Sequence, residues 1–167
     1  MILRTIIYKT GPIGVNKTAR EAELSKGLVS SYLNRLVKES ILEKKDGKFF
    51  VTNNIKTKAI KILLNLSRFD VNIFSGYGFV KSAGLYGSYA KGSNTEDSDI
   101  DLWILTEETG EETLAKLTGE LRKNLGDVRP LYLSRDKLEL LKKEDHVFYH
   151  SLVFGSITIH GEGIEEA

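Results

Sequence analysis

Cysteine is absent from all 167 residues of the chain, which excludes disulfide bonds and thiolate metal sites. Proline occurs only at Pro12 and Pro130, and we find no internal repeat and no low-complexity stretch. No apolar run approaches the roughly 20 residues that a membrane-spanning helix needs. Residues 1–9 are too short and too charged for the apolar core of a secretory signal peptide. We therefore expect a cytoplasmic protein with no membrane partner.

The net charge of +1 conceals two halves of opposite sign. Residues 1–68 carry 14 basic and 5 acidic side chains, a net charge of +9, whereas residues 69–167 carry 10 and 18, a net charge of −8. A basic half of this kind favours contact with nucleic acid. We predict two domains with these boundaries.

The basic half has the pattern of three helices followed by a hairpin. Two short helical segments precede Ser25, which is suited to cap a third helix that runs to about Glu39. Asp46-Gly47 between two strand-like runs is a strong hairpin signal. The predicted apolar stripe of the third helix consists of Leu28, Val29, Leu33, Leu36 and Val37. Its polar face consists of Lys26, Ser30, Ser31, Asn34 and Arg35.

This order of elements resembles a winged helix-turn-helix over residues 1–55. The resemblance implies binding to duplex DNA, with the polar face of the third helix in the major groove. The wing would then place Lys44, Lys45 and Lys48 against backbone phosphates. Winged helices also serve as protein-docking modules, so that alternative stays open. Residues 55–68 are predicted to form a connecting helix or to pack against a second chain, and we expect a homodimer.

The acidic half contains a Gly-Ser turn and two aspartates one residue apart. Gly87-Ser88 follows a small, apolar stretch that can form a buried strand, and glycine lets a backbone approach a phosphate closely. Asp99 and Asp101 are two residues apart, so in a strand their side chains point to one face. Two carboxylates on one rigid face suit Mg²⁺, which is usually shared with substrate phosphates.

Residues 85–92 (LYGSYAKG) and 98–102 (SDIDL) together resemble the signature of the DNA polymerase β-type nucleotidyltransferases, above all the small prokaryotic members. The resemblance covers residues 70–165. It implies Mg²⁺-dependent transfer of a nucleoside monophosphate from a nucleoside triphosphate, which we expect to be ATP, to an acceptor. A helical partner protein is one such acceptor in this family, and an active enzyme would use two Mg²⁺ ions.

The resemblance also implies a role for each matching residue. Gly87 and Ser88 would contact the triphosphate, and Asp99 and Asp101 would hold the metal. Lys91 could neutralise phosphate charge or could equally be a solvated surface lysine. Catalysis would consist of positioning and charge neutralisation.

One position departs from the family pattern. Active members carry a third carboxylate on the next strand, residues 128–134, where this sequence places Arg129. Asp127 could substitute as the third catalytic acid, although Gly126-Asp127 equally resembles a turn before the strand. The alternative function is a transcriptional regulator whose second domain is an inactive nucleotide sensor or dimerisation module.

The predicted fold class is therefore a two-domain protein. An α+β winged helix-turn-helix in residues 1–68 precedes an α/β nucleotidyltransferase fold in residues 69–167. For the second domain we expect a helix over 111–124, a strand over 128–133, a helix capped by Ser134 and a terminal strand over 156–161. The result would be a small mixed sheet with helices on one face.

Overall fold

A computed structural model describes residues 2–70 and 72–166 of the chain. Its elements are, in chain order, α1 (Ile2–Ile6), α2 (Val15–Glu21), α3 (Lys26–Lys38), β1 (Leu42–Lys45), β2 (Lys48–Val51), α4 (Ile55–Leu66), β3 (Val80–Leu85), α5 (Gly87–Lys91), β4 (Ile100–Thr106), α6 (Glu111–Leu125), β5 (Val128–Leu133), α7 (Arg135–Glu144), α8 (His146–Gly155) and β6 (Ile157–His160). Within these residues, no helix has the length and apolar content needed to cross a membrane.

The chain forms two compact units. Unit 1 runs to Leu64 and also includes Gly92–Ser98, and unit 2 comprises Asn65–Lys91 and the chain from Asp99 onward. The two contiguous ranges predicted from the sequence place Gly92–Ser98 in the second domain instead. This segment lies between the Gly-Ser turn and the aspartates in the sequence, so its assignment bears on the site described below.

Local signals explain the elements of unit 1. The Ser25 side chain accepts a hydrogen bond from the Leu28 backbone N–H at 3.3 Å and so caps α3, as predicted. Asp46 and Gly47 both have positive φ, of 49° and 73°, and connect antiparallel β1 and β2. Two consecutive positive φ angles suit the right-handed twist of a two-residue hairpin, which confirms that prediction.

The core of unit 1 forms where α1, α2, α3 and the hairpin pack together. Val29, Leu33 and Leu36 are fully or almost fully buried and form the inward face of α3. Leu28 is 52% exposed, so its predicted place in the apolar stripe is wrong. The reason is geometric, because residues 29, 33 and 36 set the centre of the stripe and position 28 lies about 100° around the helix from position 29.

Unit 2 is built on a four-stranded mixed sheet with the order β5-β4-β3-β6, which confirms the predicted mixed sheet. β4 and β5 are parallel, and helix α6 connects them, as a parallel crossover requires. β3 pairs antiparallel with β4 on one side and with β6 on the other. Gly87, Ser88 and Asp99 therefore lie between the central strands β3 and β4, and β4 itself carries Asp101.

Helices cover both faces of this sheet. The even-numbered apolar residues of β4, such as Leu102 and Ile104, pack with residues of α6. The odd-numbered Trp103 and Leu105 pack with residues of α7 and α8 on the other face. The prediction of helices on one face is therefore wrong. The signal was present in the sequence, because a strand buried on both faces has an unbroken apolar run, as residues 102–105 do.

Candidate functional site

The Gly-Ser turn and the paired aspartates meet at one end of the β3–β4 pair. Asp101 is the second residue of β4, and Asp99 immediately precedes the strand. The Tyr86 backbone N–H donates a hydrogen bond to the Asp101 carbonyl at 3.1 Å. This bond fixes the turn that starts at Gly87 beside the strand that carries the carboxylates. The two parts of the signature, separated by more than ten residues in sequence, are thus neighbours in unit 2.

Gly87 lies directly against the Asp101 carboxylate. Its φ of +65° is in the left-handed region, where side chains are strained. A Cβ at this position would also collide with Oδ2 of Asp101. Glycine is therefore required for two independent reasons, the positive φ angle and the lack of space beside the Asp101 carboxylate.

The two other predicted triphosphate contacts are less constrained. Ser88 is half-buried as the second residue of α5. Lys91 is exposed at the last position of the same helix. Both alternatives for Lys91, a phosphate contact and a solvated lysine, remain open.

The electrostatics of the site favour a bound cation. Burial raises the pKa of the Asp101 carboxyl above its ordinary value, and the negative charge of Asp99 raises it further, while Arg129 opposes the shift. Burial, followed by the charges of Asp101 and Asp99, raises the pKa of the Tyr86 phenol. A group whose charged form is disfavoured by its neighbours regains that form when a cation binds.

Arg129 pairs with Asp99 in this structure. Its Nε forms an ion pair with Oδ2 of Asp99, and the same oxygen is buried and accepts no hydrogen bond from any described residue. The parallel register of β4 and β5 places Arg129 opposite Asp101. An arginine therefore stands beside both aspartates at the position where a third carboxylate was sought.

Asp127 lies in the bend between α6 and β5, and its side chain is exposed. Its backbone carbonyl accepts a hydrogen bond from the Ile100 N–H at 2.8 Å, so the bend is fixed against the start of β4. Among residues 2–70 and 72–166, no cluster of three histidine or carboxylate side chains is suited to hold a metal. The role of Asp127 as a third acid stays a prediction.

The donor set fits one hard cation. Asp99 and Asp101 supply carboxylate oxygens, the ligands that Mg²⁺ prefers, and Oδ2 of Asp99 already attracts one cationic group, the guanidinium of Arg129. Mg²⁺ normally completes its coordination with waters and substrate phosphates, so two protein carboxylates suffice. The positive charge of Arg129 disfavours a second ion at the same place.

Sequence reasoning missed an aromatic pair beside the aspartates. The rings of Tyr86 and Phe148 are in edge-to-face contact, with centroids 6.1 Å apart. Because both aspartates shift the pKa of Tyr86, its phenol lies within electrostatic reach of the carboxylates. The position of Tyr86 immediately before Gly87 was the available signal.

A cavity of about 760 Å³ lies elsewhere in unit 2 and takes its lining from Lys81, Thr106, Ser134 and Gly161, among others. Neither aspartate and no residue of the Gly-Ser turn lines it. Charges of both signs surround it, and Lys81 is already paired with Glu107 at 2.7 Å. We therefore place the candidate site at the aspartates and not at this cavity.

In unit 1, the residues predicted to contact DNA lie on the surface. On α3, Lys26, Ser31, Asn34 and Arg35 are exposed and Ser30 is half-buried. The Asn34 side-chain amide donates to the Ser30 carbonyl at 2.9 Å and is partly used within the helix. In the hairpin, Lys44, Lys45 and Lys48 are exposed, with Lys45 paired to Glu43 at 2.7 Å and the Lys44 ammonium 5.4 Å from the Phe49 ring centre. The ammonium groups of the hairpin therefore stay at the surface, and these contacts do not identify what they bind.

Comparison with known proteins gives one family. The family described as "Polymerase beta, Nucleotidyltransferase" matches residues 71–162, which is more than half of the chain. Among curated proteins, none matches.

Three solved structures illustrate the similarity. A mutant of the toxin–antitoxin MntA–HpeT is 17% identical, with a TM-score of 0.44, over 59% of this chain and 78% of that one. A tri-AMPylated HEPN toxin of Shewanella oneidensis in complex with MNT antitoxin is 15% identical, with a TM-score of 0.38, over 65% and 76%. A nucleotidyltransferase from Sulfolobus solfataricus is 14% identical, with a TM-score of 0.38, over 64% and 87%. The assignment of the family rests on the match to residues 71–162.

Proposed function

Because the chain belongs to the polymerase beta nucleotidyltransferase family, we propose that unit 2 binds a nucleoside triphosphate with Mg²⁺ and transfers its nucleoside monophosphate to an acceptor. One observation carries the proposal: the backbone of Gly87 lies against the carboxylate of Asp101. A phosphate that approaches this turn is therefore also beside the residues able to hold its metal ion. ATP is the nucleotide we expect.

In the proposed complex, the chain's own residues bind and orient the triphosphate. The Ser88 hydroxyl and the backbone N–H groups of the turn donate hydrogen bonds to phosphate oxygens. Asp99 and Asp101 would hold Mg²⁺, which supplies neutralisation of the phosphate charge when bound. Transfer then depends on holding the acceptor in line with the phosphate, since phosphoryl transfer is catalysed mainly by positioning and electrostatics.

A second function of the same site is nucleotide binding without turnover. The observation that favours it is the register of Arg129 with Asp101, together with its ion pair to Asp99. A cation at that position lowers the affinity for a second metal ion and leaves no carboxylate there to accept a proton from the acceptor. Unit 2 would then act as a nucleotide sensor or a dimerisation module.

For unit 1 we propose a winged helix-turn-helix that binds duplex DNA. The order of three helices and a basic hairpin supports this proposal, as do the exposed Arg35 of α3 and the exposed hairpin lysines. Protein docking by the same surface is the competing function. The exposed Leu28 among the polar residues of α3 favours that alternative.

Partners of the chain are also part of the proposal. We propose a homodimer and a helical partner protein as the acceptor. Helix α4 exposes Ile55 and Leu63, and α8 exposes Val147 and Phe154, all four by more than two-thirds of their surface. Large exposed apolar side chains on one helix are the kind of surface that a partner covers. Light scattering over a range of protein concentrations tests the homodimer, because a monomer at all concentrations contradicts it.

Calorimetry with ATP and Mg²⁺ tests the proposed site. The wild type should bind in a metal-dependent manner, and Asp99→Ala/Asp101→Ala should abolish that dependence. Asp97→Ala is the matched control, because Asp97 is an exposed acid two residues before Asp99. Incubation with labelled triphosphates and candidate acceptors then separates transfer from binding alone. Unchanged affinity in the double variant would show that the site is wrongly placed.

A further inference from the structure

The segment that joins α5 to Asp99 packs within unit 1. Gly92–Ser98 follows Lys91, the last residue of α5, and ends immediately before Asp99. Both of its ends are therefore continuous with residues of the proposed nucleotide site. Its contacts within unit 1 hold the chain up to Ser98, the residue before Asp99.

Two backbone contacts hold this segment. Gly92 has a φ of +64°, and a Cβ there would collide with the backbone carbonyl of Lys58 in α4. Further along, the Glu96 N–H donates to the Tyr8 carbonyl at 2.9 Å. The segment thus packs closely on α4 at Gly92 and is hydrogen-bonded through Glu96 to Tyr8, which follows α1.

A buried lysine supplies the third anchor. Lys61 Nζ donates a hydrogen bond to the Asn94 carbonyl at 2.7 Å, and the two residues are only 8% and 1% exposed. The ammonium also lies 5.7 Å from the ring centre of Tyr8. Among the ion pairs of the described residues, none involves Lys61. Burial lowers the pKa of this lysine because the charged form loses hydration.

A buried lysine without a carboxylate partner is costly for a fold, since lysines are almost never fully buried unless paired. An apolar side chain of similar length would fill the same space without that cost. What it could not do is donate a hydrogen bond to the Asn94 carbonyl. Directly after Asn94, the Thr95 N–H donates to the Ser98 hydroxyl at 2.9 Å and closes a turn before Asp99.

We propose that Lys61 is a positioning residue of the nucleotide site: by holding the Asn94 carbonyl, it fixes the segment that ends at Asp99 and so orients that carboxylate for a divalent cation. The inference rests on the proposed function of Asp99. Without the Lys61 donor, the buried Asn94 carbonyl loses this hydrogen bond, and the segment is held less firmly. Asp99 then spends less time in the arrangement that binds the cation.

The test compares Lys61→Met with wild type, because methionine keeps the length and packing of the side chain and removes its charge. Lys56→Met, which removes an exposed lysine of the same helix, is the matched control. Amide hydrogen exchange should become faster in residues 93–99 of Lys61→Met and should stay unchanged in the rest of unit 1. An even acceleration throughout unit 1 indicates a merely structural lysine and overturns the proposal, as does unchanged exchange in residues 93–99.

A titration with Mn²⁺ alone, monitored by electron paramagnetic resonance, measures the Mn²⁺ dissociation constant and so tests whether Asp99 still binds the cation. Where the loss of this charge-assisted hydrogen bond leaves Asp99 in the binding arrangement about a tenth of the time, the Mn²⁺ dissociation constant rises about tenfold. An unchanged constant in folded Lys61→Met overturns the proposal. If Lys61→Met does not fold, Gly92→Ala displaces the same segment from Lys58 and must give the same two changes. If the wild type binds no Mn²⁺, the proposed function fails, and hydrogen exchange still decides whether Lys61 holds the segment.

Discussion

Replacement of Arg129 by methionine changes the charge beside the aspartates and removes neither of them. The Arg129 side chain is 71% exposed, so its interactions are those of a charge in a largely aqueous environment. A cation held by Asp99 would lie roughly 6 Å from the guanidinium, given a metal–oxygen distance of about 2.1 Å. We therefore expect Arg129→Met to strengthen the binding of a divalent cation.

The size of the effect follows from Coulomb's law. In water, a divalent and a monovalent cation at that separation repel by about 1.4 kcal/mol, or about tenfold in affinity. At physiological ionic strength, a Debye length of about 8 Å halves this repulsion and leaves a factor of about three. The gain in affinity should therefore be larger at low salt than at physiological salt.

Titration with Mn²⁺ at two salt concentrations measures this gain. Lys123→Met is the control, because Lys123 is an exposed basic residue of α6 that takes no part in the site. Equal affinity of Arg129→Met and wild type at both salt concentrations would refute the electrostatic reasoning. Weaker binding by the variant would show instead that Arg129 serves mainly to orient Asp99.

Three further predictions concern glycine, pH and DNA. Gly87→Ala should abolish nucleotide binding and destabilise unit 2 by about 1 kcal/mol or more. Gly119→Ala, in an open position of α6, should instead stabilise unit 2 by about 0.5–1 kcal/mol. Chemical denaturation measures both changes in stability. Because the folded pKa of the Asp101 carboxyl is raised, its contribution to stability is complete below the ordinary aspartate pKa of about 3.9 and is lost as pH rises through the folded pKa. Without metal, the thermal midpoint of the wild type should therefore fall relative to that of Asp101→Asn as pH rises from the ordinary aspartate pKa to the folded pKa. A difference between the two midpoints that does not change with pH contradicts the raised pKa of Asp101. Charge reversal at Lys44, Lys45 and Lys48 should weaken binding to all DNA duplexes. It should also reduce the slope of log affinity against log salt concentration by about 0.9 for each phosphate that the variant no longer neutralises. Variants of Asn34 and Arg35 should change the sequence preference, and binding that does not depend on salt in a gel-shift assay indicates a protein-docking surface.

Local patterns in the sequence were sufficient for much of the secondary structure. Ser25 and Ser134 cap α3 and α7 with their side chains, and Asp46-Gly47 forms the hairpin turn. Each of these features depends on residues within three or four positions of one another. The contact between Gly87 and Asp101 is not local in the sequence. It could be predicted only because both residues belong to a family motif.

Three of the features that sequence reasoning missed depend on contacts between distant residues. Leu28 lies at an edge of the apolar stripe of α3, and the other elements of unit 1 pack on the centre of that stripe and leave this edge exposed. The ion pair of Arg129 with Asp99 depends on the register between β4 and β5. The bond from Lys61 to Asn94 spans 33 positions, and no local pattern distinguishes Lys61 from the exposed Lys56 of the same helix.

A crystal structure with Mn²⁺ and a non-hydrolysable ATP analogue gives the decisive test of the proposed nucleotide site. The anomalous signal of manganese locates the ion without reference to any assumed site. We expect a peak at about 2.1 Å from carboxylate oxygens of Asp99 and Asp101, with the phosphates against Gly87 and Ser88. A manganese peak elsewhere in the chain, or a nucleotide bound away from the Gly-Ser turn, would contradict it.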